Sequence, residues 1–200
     1  MPPAIAAQNA IVVNARITDL RSDNGSLLRE VAVLLVDAFK QIAPTAWPDI
    51  ESAIAEVRES FASDRISRVA IDPEGAPLGW IGGIRHYSGH SWELHPLVVR
   101  TDLQGRGIGR ALVMDFEQRI VERGATTIFL GTDDEHGQTS LGDIDLYPDV
   151  WTHVWKVENL RRHPYEFYQK LGFVIVGVIP DANGIGKPDI FMAKRVGLAP

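Results

Sequence analysis

Glu93 and His95 stand two residues apart in W-E-L-H-P-L-V-V (92–99), an apolar stretch with the composition of a strand. Alternate residues of a strand face the same side. Glu93, His95 and Leu97 are therefore expected on one face, and Trp92, Leu94 and Pro96 on the other. A carboxylate beside an imidazole could take a proton from a substrate. Each has a plainer use as well: Glu93 as half of an ion pair, His95 as the partner of a backbone group. Just beyond the strand, residues 104–109 read Q-G-R-G-I-G. Ile108, Ala111, Leu112, Phe116 and Ile120 then recur at helical spacing. Glycine lets a backbone turn sharply and come close to a ligand. Free N–H groups at a helix start, helped by the dipole, favour phosphate. The loop thus reads as a pyrophosphate cradle at the end of a buried strand.

Two familiar glycine motifs fail on spacing. A dinucleotide fingerprint, G-x-G-x-x-G/A, needs a small residue three places after its second glycine. That place is Arg110 or Leu112, depending on the starting glycine. A P-loop needs Gly-Lys-Ser/Thr after four spacers, and Arg110 stands where its glycine should be. The pattern that fits is Gln/Arg-x-x-Gly-x-Gly/Ala, met by Gln104, Gly107 and Gly109.

The rest of the chain must hold this strand, loop and helix in place. With 200 residues, 45% hydrophobic and 23% charged, it can bury one proper core. Residues 1–10 are small and featureless and are expected to be a disordered tail; 11–200 form one domain. A strand is predicted at 11–17, a helix at 27–39, and a second helix at 50–62 capped by Asp49. Strands at 65–71 and 78–84 lead through a turn into 94–99 as an antiparallel meander, with Gly82-Gly83 marking a bulge or a close approach. Gly124 is expected to close the glycine-loop helix. A buried strand at 126–130, an acidic loop at 133–150, a short helix at 164–171 and strands at 173–179 and 190–196 complete the order. No apolar run approaches the roughly 20 residues of a membrane span, and residues 1–10 lack the basic start of a signal peptide. A cytoplasmic location is the default expectation. The net charge of −6 argues against a nucleic-acid partner. Without cysteine there is no thiol nucleophile, and the six histidines show no metal-binding spacing, so no metal is predicted.

The glycine pattern resembles the acetyl-CoA-binding motif of the GCN5-related N-acetyltransferases. The element order is also that of their fold, a central mixed, mostly antiparallel sheet flanked by helices (α/β, or α+β). W-E-L-H-P-L-V-V at Trp92, L-G-T-D-D at Leu130, H-P-Y-E-F-Y-Q-K-L-G-F at His163 and K-P-D-I-F-M-A-K at Lys187 resemble, more narrowly, the dimeric aminoglycoside 6′-N-acetyltransferases. That similarity covers residues 79–195. The first half is similar only in element order and in the pair Trp47-Pro48.

The resemblance implies acetyl-CoA as cosubstrate, an aminoglycoside as acceptor and a homodimer. It places Glu93 as the carboxylate that accepts the amine proton, through water, with His95 either a helper of base or oxyanion or a structural residue. The amide of Leu97 would polarise the thioester carbonyl. Val98 and Val99 would pair through their main chain with the pantetheine arm, their side chains remaining core. Gln104, Gly105, Arg106, Gly107, Ile108, Gly109 and Arg110 would hold the pyrophosphate. Tyr168 would protonate or hydrogen-bond the leaving sulfur, a phenol of pKa about 10 being protonated at neutral pH; Tyr165, one turn away, is its competitor. Many family members carry Asn about two turns before this tyrosine; here that place is Arg161, with Asn159 nearby.

Between Gly124 and Trp155 there is no Lys or Arg, while Asp133, Asp134, Glu135, Asp143, Asp145 and Asp149 all fall there. Such a block is either a solvated loop or a surface for a polycation. With the resemblance, Asp133, Asp134 and Glu135 are expected at the cleft, and the later three on its rim. Trp47 either stacks on a sugar ring or anchors its own loop. With no cysteine to carry an acyl group, attack would be direct, in a ternary complex. Acetylation removes a positive charge, which weakens antibiotic binding to ribosomal RNA and would confer resistance. Two rivals stand beside this: an acetyltransferase for polyamines, protein N-termini or lysines, and a non-catalytic acyl-CoA-binding module.

Overall fold

A computed structural model describes residues 15–40 and 42–197. The expected tail at 1–10, and the part of the first strand at 11–14, lie outside the described residues. The elements run β1 (Arg16–Asp19), α1 (Gly25–Phe39), α2 (Ile50–Glu59), β2 (Arg65–Ile71), β3 (Pro77–His86), β4 (Ser91–Val99), α3 (Ile108–Val121), β5 (Thr127–Asp133), α4 (Val150–Trp155), α5 (Tyr165–Gln169), β6 (Val174–Ile179) and β7 (Asp189–Arg195). One seven-stranded sheet has the order β1-β2-β3-β4-β5-β7-β6. Every neighbouring pair is antiparallel except β4 with β5. This is the mixed, mostly antiparallel sheet expected from the sequence. Among the described residues no helix is long and apolar enough to cross a membrane.

Helices cover both faces. On one, α1 and α2 bury Leu28, Val31, Leu35, Ala53 and Val57 against Val69, Trp80 and Val98. Asn24 caps α1 through the amide of Leu27, and Asp49 caps α2 in a reciprocal box with Ser52. On the other face, Leu112, Phe116 and Ile120 of α3 pack with Ile81, Leu94, Ile128 and Leu130. Phe116 seats in the space that a side chain at position 83 would need: a Cβ on Gly83 would lie 2.2 Å from its ring. Past the helix, Gly124 sits at φ +80° and donates its N–H to the Val121 carbonyl, while the Ala125 N–H reaches the Ile120 carbonyl; this pair of bonds around a left-handed glycine closes α3 as expected.

Three features depart from expectation or were missed. β3 and β4 pair Gly83 with Leu94 but Ile81 with Leu97, so Gly82 alone faces both His95 and Pro96. This bulge is possible because position 82 lacks a Cβ; one there would lie 2.4 Å from the His95 carbonyl oxygen. It shifts the alternation by one. Leu94, Leu97 and Val99 all face α3, and Val98 faces α1 and α2. The expected shared face of Glu93, His95 and Leu97 is therefore corrected: Leu97 lies on the opposite side. Second, β4 and β5 pair over only three positions, Ser91 with Thr127 to Glu93 with Phe129, and then part. Third, the acidic loop ends in α4, whose first turn is capped by Asp149 through the amide of Thr152.

Candidate active site

The upper half of β4 has lost its neighbour on one side. Arg100 donates its N–H to the Leu78 carbonyl on β3 at 3.0 Å. Across a trans peptide the Val99 carbonyl must then point away from β3. There it accepts a bond from the Gln104 side chain at 3.4 Å. The register is regular from Val99 back to Leu97, so by two-residue alternation the Leu97 N–H is also aimed into the gap that β5 has left. Glu93 stands where the gap begins, at the last paired position.

The glycine loop closes one end of this gap. Gly107, at φ +87°, is the N-cap of α3 and offers no side chain to it. A left-handed N-cap suits glycine and strains most other residues. The first bond inside the helix runs from the Ala111 N–H to the Gly107 carbonyl, which leaves the N–H groups of Ile108, Gly109 and Arg110 without helical partners. Ile108 is buried in the core, so only its backbone can meet a ligand. Gln104, Gly105, Arg106, Gly107 and Arg110 are exposed. A Cβ on Gly109 would touch Val99 at 3.5 Å and Phe167 at 3.4 Å. The end of β4, the start of α3 and the helix α5 thus meet at one point.

Tyr168 on α5 is buried, with the rings of Phe167 and Phe173 set edge-on at 5.0 and 5.6 Å. Burial pushes its phenol above the ordinary value, so it is protonated at any physiological pH. Tyr165 is buried too. Asn159 does not extend the helix start: its side chain clamps the N–H and carbonyl of His163 at 2.7 and 2.9 Å.

On the α1–α2 side, Glu93 is bonded to His86 Nε2 at 3.0 Å, an interaction the sequence reading missed. His95 is exposed and stands 6.0 Å, ring to ring, from Trp47. Trp47 itself packs edge-on against Phe39 at 4.7 Å. That anchors its loop and leaves one flank toward His95.

The carboxylates divide sharply. Asp133 is exposed and accepts a bond from Asn183. Asp189 lies opposite it in register on β7. Its carboxylate occupies the space above Gly131, where a Cβ would come within 2.4 Å, and its Oδ1 is buried with no hydrogen-bond partner. Burial, then the charges of Asp133 and Glu93, push the Asp189 carboxyl up to about 6 against the pull of the Thr132 backbone N–H. Asp189 was visible in the K-P-D-I motif but was not singled out. Asp134 is a correction. It is fully buried and accepts bonds from Gln138 N–H, Thr139 N–H and the Thr139 hydroxyl at 2.6, 2.8 and 2.7 Å. Burial alone would raise its carboxyl, but these donors outweigh it and hold it below the ordinary value. Asp134 organises the acidic loop and has no face left for a substrate. Glu135 follows it, partly exposed. Asp145 and Asp149 are spent on local backbone amides.

The family profile of the acetyltransferases (GNAT family) matches residues 31–147. Among solved structures, an aminoglycoside 6′-N-acetyltransferase complexed with coenzyme A is 40% identical, covering 92% of this chain and 99% of that one, with a TM-score of 0.84. The aminoglycoside 6′-N-acetyltransferase from Enterococcus faecium gives 40%, 92%, 99% and 0.83. An aminoglycoside 6′-acetyltransferase type Ii gives 36%, 92%, 99% and 0.70. A comparison with curated proteins returned no match. With a profile match over more than half of its length, and 36–40% identity to solved acetyltransferases over nearly the whole of both chains, the chain belongs to the GNAT family of acetyltransferases.

Proposed function

We propose that the protein transfers the acetyl group of acetyl-CoA to the 6′-amine of aminoglycosides, by direct attack in a ternary complex. The observation that carries this is the 36–40% identity, over nearly the whole of both chains, to enzymes of that activity. The geometry supplies roles that fit. An acceptor ammonium beside Glu93 loses a proton to it through water, and His86 shares the charge. The amine nitrogen attacks the thioester carbon. The oxygen that gains negative charge lies in the gap toward which the Leu97 N–H points. The nitrogen, positively charged after its attack, releases its second proton to water as the C–S bond breaks, leaving a neutral amide and a thiolate. Because the Tyr168 phenol is held above its ordinary value and a thiol titrates near 8.5, full proton transfer from tyrosine to sulfur is uphill. Tyr168 therefore acts as a hydrogen-bond donor to the departing thiolate, which takes its proton from solvent.

Glu93, Asp133 and Asp189 give the acceptor side a negative field suited to a polycation. The pyrophosphate is held by the amides of Ile108, Gly109 and Arg110, with Arg106 and Arg110 free to approach it. The proposal includes a cytoplasmic setting, where acetyl-CoA is at hand. It also includes a homodimer, supported by an apolar face beside the edge strand β6. Exposed Trp151, Trp155 and Val174 line a groove of about 790 Å³ there, and Val176 and Ile179 are exposed further along β6.

A steady-state assay with acetyl-CoA and kanamycin or tobramycin, read as free-thiol release, tests the reaction. Turnover is expected, and none with a 6′-hydroxyl analogue. Failure with every 6′-amino aminoglycoside, alongside turnover with spermidine or a peptide, would overturn it.

A further inference from the structure

We infer that His163 is a positioning residue for this reaction, a neutral imidazole that ties the end of β5, where the acceptor-facing Asp133 stands, to the first turn of the helix that carries Tyr168. The inference rests on the proposed role of Tyr168 at the leaving sulfur.

His163 is 2% exposed and lies just before α5. The Tyr165 N–H donates to its Nδ1 at 3.2 Å. A backbone amide can only donate, so Nδ1 must be the bare acceptor and Nε2 must carry the hydrogen. Nε2 then donates to the Asp133 carbonyl at 3.0 Å. Both nitrogens are committed, and the tautomer is set by the main chain on either side.

The two bonded groups are the ones that matter for alignment. The helix α5 has five residues, and Pro164 at its N-cap contributes no side-chain bond. So short a helix has little stability of its own. The His163 ring supplies the missing cap to Tyr165, one turn before Tyr168. At its other end it holds the main chain of Asp133, whose carboxylate is exposed and braced by Asn183. Asn159 fixes the His163 backbone at both its N–H and its carbonyl, and burial with the two ring bonds holds the imidazole in place. The groups facing the ring are Asp133 and Asp134 from the end of β5 and Tyr165 from α5. Burial dominates over the two carboxylates and holds the imidazole below its ordinary value, in the neutral form this bonding requires. Acceptor wall and tyrosine helix thus share one rigid link, and a shift in either moves the phenol relative to the sulfur.

The test compares full-length wild type with His163→Leu, His163→Asn, Tyr168→Phe and the double variant His163→Leu/Tyr168→Phe. Readouts are kcat, the KM for acetyl-CoA and thermal unfolding. His163→Leu should lower kcat about 10- to 100-fold, the cost of a small misplacement at a reacting centre, with the acetyl-CoA KM within about twofold. His163→Asn, which keeps an acceptor for the Tyr165 N–H, should recover part of that loss. In the Tyr168→Phe background the leucine substitution should cost less than about threefold more, because its effect runs through the tyrosine. An unchanged kcat, or the same loss with and without Tyr168, would overturn the inference. Should the leucine variant fail to fold, His163→Asn carries the same comparison alone and in the Tyr168→Phe background. A wild type inactive on every 6′-amino aminoglycoside would instead sink the proposed reaction, which separates the two failures.

Discussion

Carboxylates of one chemical type do three different jobs around the end of β5 and its partner position on β7. Asp134 is saturated by donors, Asp133 is exposed, and Asp189 is half-buried with one oxygen unpartnered. Sequence treats Asp133 and Asp134 alike, since what separates them is the Thr139 hydroxyl and amide, brought in by the fold of the loop. Glu93 was legible because its strand motif is specific; its bond to His86 was not, because it crosses a hairpin. Glu93→Gln should lower kcat by about 10² or more, the usual contribution of a general base, while the Kd for CoA measured by calorimetry stays within about twofold. Asp189 carries a stability consequence as well. Its folded-state value near 6 is above the ordinary 3.8. The stabilisation is therefore complete below pH 3.8 and is lost as pH rises through 6, because the unfolded chain ionises first. Asp189→Asn should be more stable than wild type at pH 7.5 by about 1 kcal/mol after allowing for partial exposure, read as a higher unfolding temperature. The gap should vanish near pH 4. Equal melting at both pH values would show that the carboxylate is not strained.

At the scale of elements, periodicity and capping found β2, α1, α2, α3 and β7 to within a few residues. These carry regular apolar faces or clear end signals, Asp49 and the glycine loop among them. Gly82-Gly83 signalled the bulge, but its effect on the faces of β4 escaped, because nothing within 92–99 says that Gly82 will face two residues and turn Leu97 to the other side. The short α4 escaped because Trp151 and Trp155 project outward and break any apolar stripe. The loop before α3 offers a sharp test of how an element serves the site. Gly107→Val places a β-branched residue at φ +87°, a strain of roughly 1–3 kcal/mol. It also disturbs the amides that would hold the pyrophosphate. The KM for acetyl-CoA should rise about tenfold or more while the acceptor KM stays nearly constant. A change confined to the acceptor would mean that the loop does not hold the cosubstrate.

For the whole molecule, an edge strand and a neighbouring helix leave several large apolar side chains in water, the kind of face that an interface covers. Trp155 is 89% and Val174 60% exposed. Trp155→Glu combined with Val176→Lys should halve the mass seen by sedimentation at micromolar concentration. A wild type already monomeric there would remove the homodimer from the proposal. The parted strands have a wider consequence. Three parallel rungs are the only ladder joining β1–β4 to β5–β7–β6 among the described residues. Parallel rungs are also the weaker kind. Beyond these rungs the two blocks are held together chiefly by side chains, in the core that α3 shares with both. A cosubstrate lying across the seam would bind only when the blocks are in register, adding about 2.7 kcal/mol of stability at a hundredfold excess over its Kd. In a cell the level of acetyl-CoA would then set both the rate of the enzyme and how long each copy survives proteolysis.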